Sequence, residues 1–158
     1  MIFIDDYNRF TWVYFLHSKS EVFSVFKSFF FPILRLNFLL VLRSDLGGEY
    51  MSHKFHDFLQ QKGIVSHRSY LYTLQQNEVA EHKNRHLLDI TRTLLIESPI
   101  PSKFWIEVLS TAVYLINRLP LQVLNFDSPY YRLYNKSHNY HDLHTFGCVC
   151  FVHLPSHE

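Results

Sequence analysis

Short apolar runs alternate with helical periodicity through the first half of the chain, and this alternation constrains the fold more than any other feature. Strands are predicted over residues 1–4, 10–16, 39–42 and 64–67, and helices over residues 22–30 and 52–62. Asp5 to Asn8 has the chemistry of a turn between the first two strands. Pro32 is expected to end or bend the first helix. Strands that alternate with helices in this way predict an α/β fold.

The second half of the chain has mostly helical patterns. A polar loop is predicted over residues 70–77, long helices from about 75 to 98 and over 102–118, a short helix over 128–134 and a last strand over 148–154. The residues expected on the inner faces of the two long helices are Val79, Leu87, Ile90, Leu94, Phe104, Val108, Ala112, Leu115 and Ile116. Ser128 and Pro129 are typical of a helix N-cap and first turn.

Composition excludes several classes of protein. The chain has 158 residues, 47% of them hydrophobic, and a net charge of +1, which is the size of one domain and too apolar for a disordered tail. Two cysteines are too few for a disulfide scaffold, which favours a reducing compartment, the nucleus or cytoplasm. The most apolar run, residues 29–42, contains Pro32, Arg35 and Asn37 and is shorter than the about 20 residues of a membrane span. Nucleic-acid binding would need a local basic patch, because the net charge gives no reason to expect it.

Three carboxylates could carry chemistry. Asp45 and Glu49 follow a predicted buried strand, and Glu81 lies near the start of a predicted long helix. Glu81, Arg85, Leu88 and Arg92 share one face of that helix at spacings of i, i+4, i+7 and i+11. Carboxylates together with phosphate oxygens suit Mg²⁺, and two such ions can activate an attacking hydroxyl and a leaving oxygen. The alternative from spacing alone is that Asp45 caps a turn and Glu81 is a solvated helix residue.

The histidines favour no zinc site. His82 and His86 are four residues apart on the same predicted helix, but Glu81 precedes both of them, so the order of an H-E-x-x-H motif is not present. Solvated side chains on a helix surface are the favoured interpretation.

Three segments resemble integrases of copia-type LTR retrotransposons. Residues 4–12 (IDDYNRFTW) resemble the family's "DDYSRFTW", residues 42–50 (LRSDLGGEY) its "LRSDNGGEY", and residues 72–85 (YTLQQNEVAEHKNR) its "YTPQQNGVAERKNR". Residues 104–108, 114–120 and 146–148 are also similar to the family. The resemblance covers essentially the whole chain.

The resemblance implies a ribonuclease H-like fold, an α/β architecture with a mixed sheet flanked by helices. It implies strand transfer of element DNA by a D,D-35-E triad that holds Mg²⁺ or Mn²⁺. Asp45 and Glu81 match the second and third members, as catalytic residues and metal ligands. The family's first Asp lies on a strand upstream of the segment at residues 4–12, so we expect that strand to be missing and no residue to match this Asp. Asp5 and Asp6 are expected to shape a turn, with Asp5 bonding backbone N–H groups.

Four departures from the motifs point the same way as the missing strand, and together they predict weak metal and DNA binding and impaired catalysis. Leu46 stands where the family has Asn, Leu74 where it has Pro, Glu78 where it has Gly and His82 where it has Arg. Glu78 removes the conformational freedom of glycine and adds a negative charge where a phosphate should approach. His82 removes a permanent positive charge.

The resemblance also implies a DNA-binding surface. Asn84, Arg85 and Arg92 would lie along the DNA, and Gln75, Gln76 and Asn77 would form a loop at its edge. An ordinary mixed-charge surface is the alternative. An integrase-like core is predicted over residues 1–120, followed by an extension over 121–158. DNA and a second copy are the expected partners, with neither a membrane nor a small-molecule substrate. A non-catalytic dimerisation module and an unstable gene remnant remain alternatives.

Overall fold

The computed structural model describes residues 1–34, 41–45, 47–68, 74–149 and 151, apart from the side chains of residues 34, 74–78 and 142. The chain divides into two compact units, Met1–His86 and Leu87–Glu158, and each is described by itself. The predicted boundary between residues 120 and 121 stays a prediction.

The first unit begins with a β-hairpin. Strand β1 (Ile2–Ile4) pairs antiparallel with strand β2 (Thr11–Val13), and Phe3 lies opposite Trp12. Short alternating segments of aromatic and β-branched residues suit this half-buried pairing. Both predicted strands are therefore confirmed, although β2 is shorter than residues 10–16.

The turn of the hairpin is organised by Asp5, as predicted. Its carboxylate Oδ1 accepts hydrogen bonds from the backbone N–H groups of Tyr7 at 2.8 Å and Asn8 at 3.1 Å. Arg9 closes the turn with a φ of 61°, and its N–H donates to the Asp5 carbonyl at 2.9 Å. Asp6 holds the Arg9 guanidinium at 2.7 Å. Both aspartates thus act within the turn.

Helix α1 (Val22–Leu34) supplies most of the core of this unit. Phe26, Phe29 and Phe30 of α1 are buried, and Phe29 stacks on Phe3 of β1 with ring centroids 3.9 Å apart. Pro32 does not end the helix, which continues to Leu34. Proline has no backbone N–H, so α1 lacks the bond that residue 32 would otherwise donate to the carbonyl of Ser28.

A second pair of strands packs on the same aromatic core. Strand β3 (Val41–Ser44) runs parallel to strand β4 (Val65–Arg68), and helix α2 (His53–Gln61) connects them. Ser52 caps α2 by accepting a hydrogen bond from the N–H of Phe55 at 3.3 Å. The described strands form two separate two-stranded sheets. The β1–β2 sheet is antiparallel and the β3–β4 sheet is parallel.

Helix α3 (Leu74–Glu97) begins one residue before the predicted start at about residue 75. Gln75, Gln76 and Asn77 lie in its first turn, so the predicted loop at these positions is wrong. Glu78 is also helical and needs no positive φ, and it is a better helix former than the glycine of the family motif. Val79 is 51% exposed, against the expected inner position, because it lies beside a surface cavity.

The second unit contains helices α4 (Trp105–Ile116) and α5 (Pro129–Tyr134). Val108, Ala112 and Ile116 are buried as predicted. Phe104 is 40% exposed because it lies in the 3₁₀ turn before α4, where the helical period does not apply. The Ser128 cap is confirmed, since its hydroxyl accepts from the N–H of Tyr131 at 3.1 Å.

Arg118 organises the segment that follows α4. Its guanidinium carbon lies 3.5 Å from the ring centroid of Tyr114 and 4.6 Å from that of Tyr130. Its Nε donates to His138 Nδ1 at 3.3 Å, and its carbonyl accepts from the Tyr140 hydroxyl at 2.6 Å. These five residues are called the Arg118 cluster below.

Two further expectations concern the last predicted strand and the presence of a membrane span. The predicted last strand, residues 148–154, falls mostly outside the described residues, and none of its described positions is in a strand. Within the described part of the chain, no helix has the length and apolarity to cross a membrane.

Candidate functional site

Asp45 lies at the carboxyl end of the parallel strand β3, where the sequence places it. It is exposed, and its Oδ1 accepts a hydrogen bond from the N–H of Gly47 at 3.1 Å. This bond is the turn-capping role that spacing alone suggested. The position also suits chemistry, because side chains that follow parallel strands lie at the edge where α/β sheets bind ligands.

Glu49 is the carboxylate that lies close to Asp45. A methyl group on Gly47 would be 3.0 Å from Asp45 Oδ1 and 2.9 Å from Glu49 Cδ, so the two carboxylates flank this glycine. Lys19 lies 3.7 Å from Glu49 Oε1. Burial raises the pKa of the Tyr50 phenol, and the negative charges of Asp45 and Glu49 raise it further. Asp45, Glu49 and Tyr50 therefore form one electrostatically linked group.

Glu81 lies on the exposed surface of helix α3, as expected for either interpretation of it. Arg85, Leu88 and Arg92 are exposed as well, in agreement with the shared helix face. Arg92 lies 3.4 Å from Asp89 one turn away, so part of its charge is compensated.

The described residues do not form the metal centre that the resemblance implies. No three His, Cys, Asp or Glu side chains among them come together closely enough to hold an ion. The neighbouring carboxylate of Asp45 is Glu49, and an Asp45 oxygen is engaged by backbone. The donor set of the described residues thus does not fit a complete metal triad.

The predicted DNA-contacting residues divide into two groups. Asn84 and Arg85 are exposed on α3. Gln75, Gln76 and Asn77 are helical, and their side chains lie outside the described ones, as does the whole of Leu46. The roles assigned to all these residues stay predictions.

One basic feature was not found by sequence reasoning. Arg9 in the hairpin turn and Lys83 on α3 line the same cavity, although they are 74 positions apart in the chain. Burial lowers the pKa of the Lys83 ammonium, and the positive charge of Arg9 lowers it further. The motif pattern contains both residues but gives no sign that they meet.

Comparisons with known proteins agree with this fold. No protein-family model matches the chain. It is 40% identical to the retrovirus-related Pol polyprotein from transposon TNT 1-94 of Nicotiana tabacum, over 99% of this chain and 12% of that protein. It is 38% identical to the Pol polyprotein from transposon RE2 of Arabidopsis thaliana, over 98% of this chain and 11% of that protein. The chain therefore spans only about an eighth of the relatives that it matches.

The structural comparison supports the fold. The catalytic core domain of HTLV-2 integrase, solved with magnesium in a trimeric form, superimposes with a TM-score of 0.63. The alignment covers 84% of this chain and 81% of that one at 15% identity, which supports the fold alone. The predicted resemblance and fold class are thus confirmed. The chain is similar to one segment of the copia-type retrotransposon Pol polyproteins and has the ribonuclease H-like fold of an integrase catalytic core.

Proposed function

We propose that this chain is a DNA-binding integrase-core module whose strand transfer is impaired. The proposal rests on two similarities taken together: the sequence resembles a Pol polyprotein over 99% of the chain, and the fold resembles an integrase core over 84% of it. The integration reaction belongs to the longer relatives, and its transfer to this chain is part of the proposal.

The exposed surface of α3 is the proposed DNA contact. Arg85 would contact a phosphate and Asn84 a neighbouring backbone oxygen, since both side chains are exposed on the same turn. Arg92 lies two turns further along and is partly compensated by Asp89. Contacts of this kind fix the position of a duplex and carry little sequence information.

The proposed impairment follows from the carboxylates. Asp45 and Glu81 are the two residues that we propose could still contribute to an Mg²⁺ or Mn²⁺ site, of the kind occupied in the HTLV-2 core. Affinity should be weak, because metal coordination depends on ligand number and geometry. The Gly47 N–H also competes for an Asp45 oxygen.

DNA binding can be tested by fluorescence anisotropy with a labelled duplex. Arg85→Gln should weaken binding and reduce the slope of log affinity against log salt by about 1. Lys54→Gln is the matched control, since it removes one exposed positive charge from α2. Equal effects of the two variants would contradict a specific role for Arg85.

Catalysis is tested separately with Mn²⁺ and a processed duplex end. We expect strand transfer at or below background for the wild-type chain. Product that forms with the wild-type chain and disappears in Asp45→Asn would contradict the proposed impairment.

Self-association is the second candidate function. The described strands form two-stranded sheets, and unpaired strand edges favour pairing with another chain. The trimeric form of the HTLV-2 core is consistent with this. Sedimentation velocity over a range of concentrations should show a mass above that of the monomer, and a monomer at all concentrations would exclude the candidate.

A further inference from the structure

A basic cavity lies between the β1–β2 hairpin and the first half of helix α3. Its volume is about 500 Å³, and its walls are formed by Ile4, Arg9, Val79, His82, Lys83 and His86. All six residues belong to the first unit. We call this feature the hairpin cavity.

The walls of the hairpin cavity carry basic groups from two separate elements. Arg9 comes from the hairpin turn, whereas His82, Lys83 and His86 come from α3. None of the six lining residues is acidic. Asp6 holds one nitrogen of Arg9 at 2.7 Å and lies outside the lining.

The hairpin turn fixes Arg9 before any ligand arrives. The Arg9 backbone is tied to Asp5 at 2.9 Å, and its guanidinium is tied to Asp6. A guanidinium has five N–H donors, so one ion pair leaves further donors for an anion. A cation held in this way loses little conformational entropy on binding.

Lys83 lies close enough to Arg9 for mutual repulsion. Its pKa is lowered by burial and by the charge of Arg9. Two like charges at a partly buried site are costly, and an anion between them would offset that cost. Ile4 and Val79 add an apolar wall that can contact a sugar.

We propose that the hairpin cavity binds a phosphate group of a nucleic-acid backbone, held between Arg9 and Lys83. The inference rests on the proposed DNA-binding function and adds a second contact to it, on a different side of α3 from Arg85. Free phosphate shares the recognition chemistry, and the test separates the two sources.

The first arm measures duplex DNA affinity of the intact chain by anisotropy. Lys83→Gln and Arg9→Gln should each weaken binding, and their effects should be less than additive because they contact one phosphate. The advantage of wild type over Lys83→Gln should shrink about threefold between about 50 and 200 mM salt, as expected for one lost phosphate contact. Lys54→Gln, with the same charge change, should show neither behaviour. Thermal unfolding of each variant confirms that it folds.

The proposal would be overturned if Lys83→Gln and Arg9→Gln both had the same DNA affinity and salt dependence as Lys54→Gln. Arg9→Gln keeps the test valid if Lys83→Gln does not fold, because the two residues lie on different elements. The second arm adds inorganic phosphate and follows backbone amide NMR signals of residues 82–86.

The two arms together distinguish the sources of phosphate. Shifts with inorganic phosphate but unchanged DNA affinity in both variants would identify a free-phosphate site and reject the nucleic-acid ligand. A wild-type chain that binds no DNA would reject both the proposed function and this ligand. Loss of affinity in Arg85→Gln alone would support the proposed function and reject the hairpin cavity.

Discussion

The first unit and the second unit are each stabilised internally by a different kind of interaction. In the first unit, Phe26 has no exposed surface, and its ring packs 4.8 Å from that of Phe55. In the second unit, the segment after α4 is held by the Arg118 cluster, which combines cation–π contacts with hydrogen bonds. Apolar packing is non-directional and tolerates sequence change of similar volume. A position between two tyrosine rings, by contrast, depends on the planar guanidinium of arginine, which other side chains do not replace.

The largest effect is expected for Phe26→Ala. Removing a fully buried phenyl ring leaves a cavity and should lower the free energy of unfolding by about 3–5 kcal/mol. Urea denaturation followed by circular dichroism measures this change. Phe31→Ala is the matched control on the same helix, because Phe31 is 53% exposed, and it should cost less than about 1 kcal/mol. Similar losses for both variants would show that α1 is not the centre of the core.

An intermediate effect is expected for Arg118→Gln. Two cation–π contacts and a hydrogen bond to His138 are lost, which should cost about 1–2 kcal/mol. The loss should be local, so hydrogen exchange should accelerate over residues 128–140 more than in helix α1. Arg132→Gln is the comparison variant, since Arg132 is a nearby arginine that pairs with a carboxylate, that of Asp127, at 3.0 Å. Uniform acceleration throughout the chain would contradict a local role.

The smallest effect concerns Tyr50, where the apolar core of the first unit meets the charged site. The pKa of this phenol is raised by burial first and by Asp45 and Glu49 second. Asp45→Asn should therefore lower the pKa of Tyr50 while leaving it above 10.0, the ordinary value, because burial remains. Titration of the Tyr50 Cζ signal by NMR measures this. An unchanged pKa would show that Asp45 is not close to the phenol.

The same shift has a consequence for stability. The folded pKa of Tyr50 is above its unfolded value, so the phenol contributes stability that is fully present below pH 10.0 and is lost as the pH rises through the folded pKa.

Local features of this fold were predictable because nearby residues determine them. The Asp5 turn and the cap at Ser128 are hydrogen bonds between residues two or three positions apart. The start of α3 agrees with the helix predicted from about residue 75, whereas the loop predicted over residues 70–77 is wrong where it overlaps this helix. The polar residues at 75–77 were interpreted as a loop, but polar side chains such as glutamine are compatible with a helix.

The candidate site was predictable in part. The positions of Asp45 after β3 and of Glu81 on an exposed helix face agree with the sequence pattern, whereas their catalytic roles stay predictions. The pairing of Asp45 with Glu49 around Gly47 was not predicted, since it depends on how the turn after β3 folds back.

The sequence by itself determined the family resemblance, the hairpin turn, the Ser128 cap and the order of strands and helices as far as α5. Each of these depends on neighbouring residues or on motifs formed by consecutive residues. Only the tertiary structure decided that the described strands form two separate pairs on one aromatic core, and that Arg9 meets Lys83. Those contacts join residues far apart in the chain, and they form because the core brings whole elements together, a constraint that no local pattern encodes.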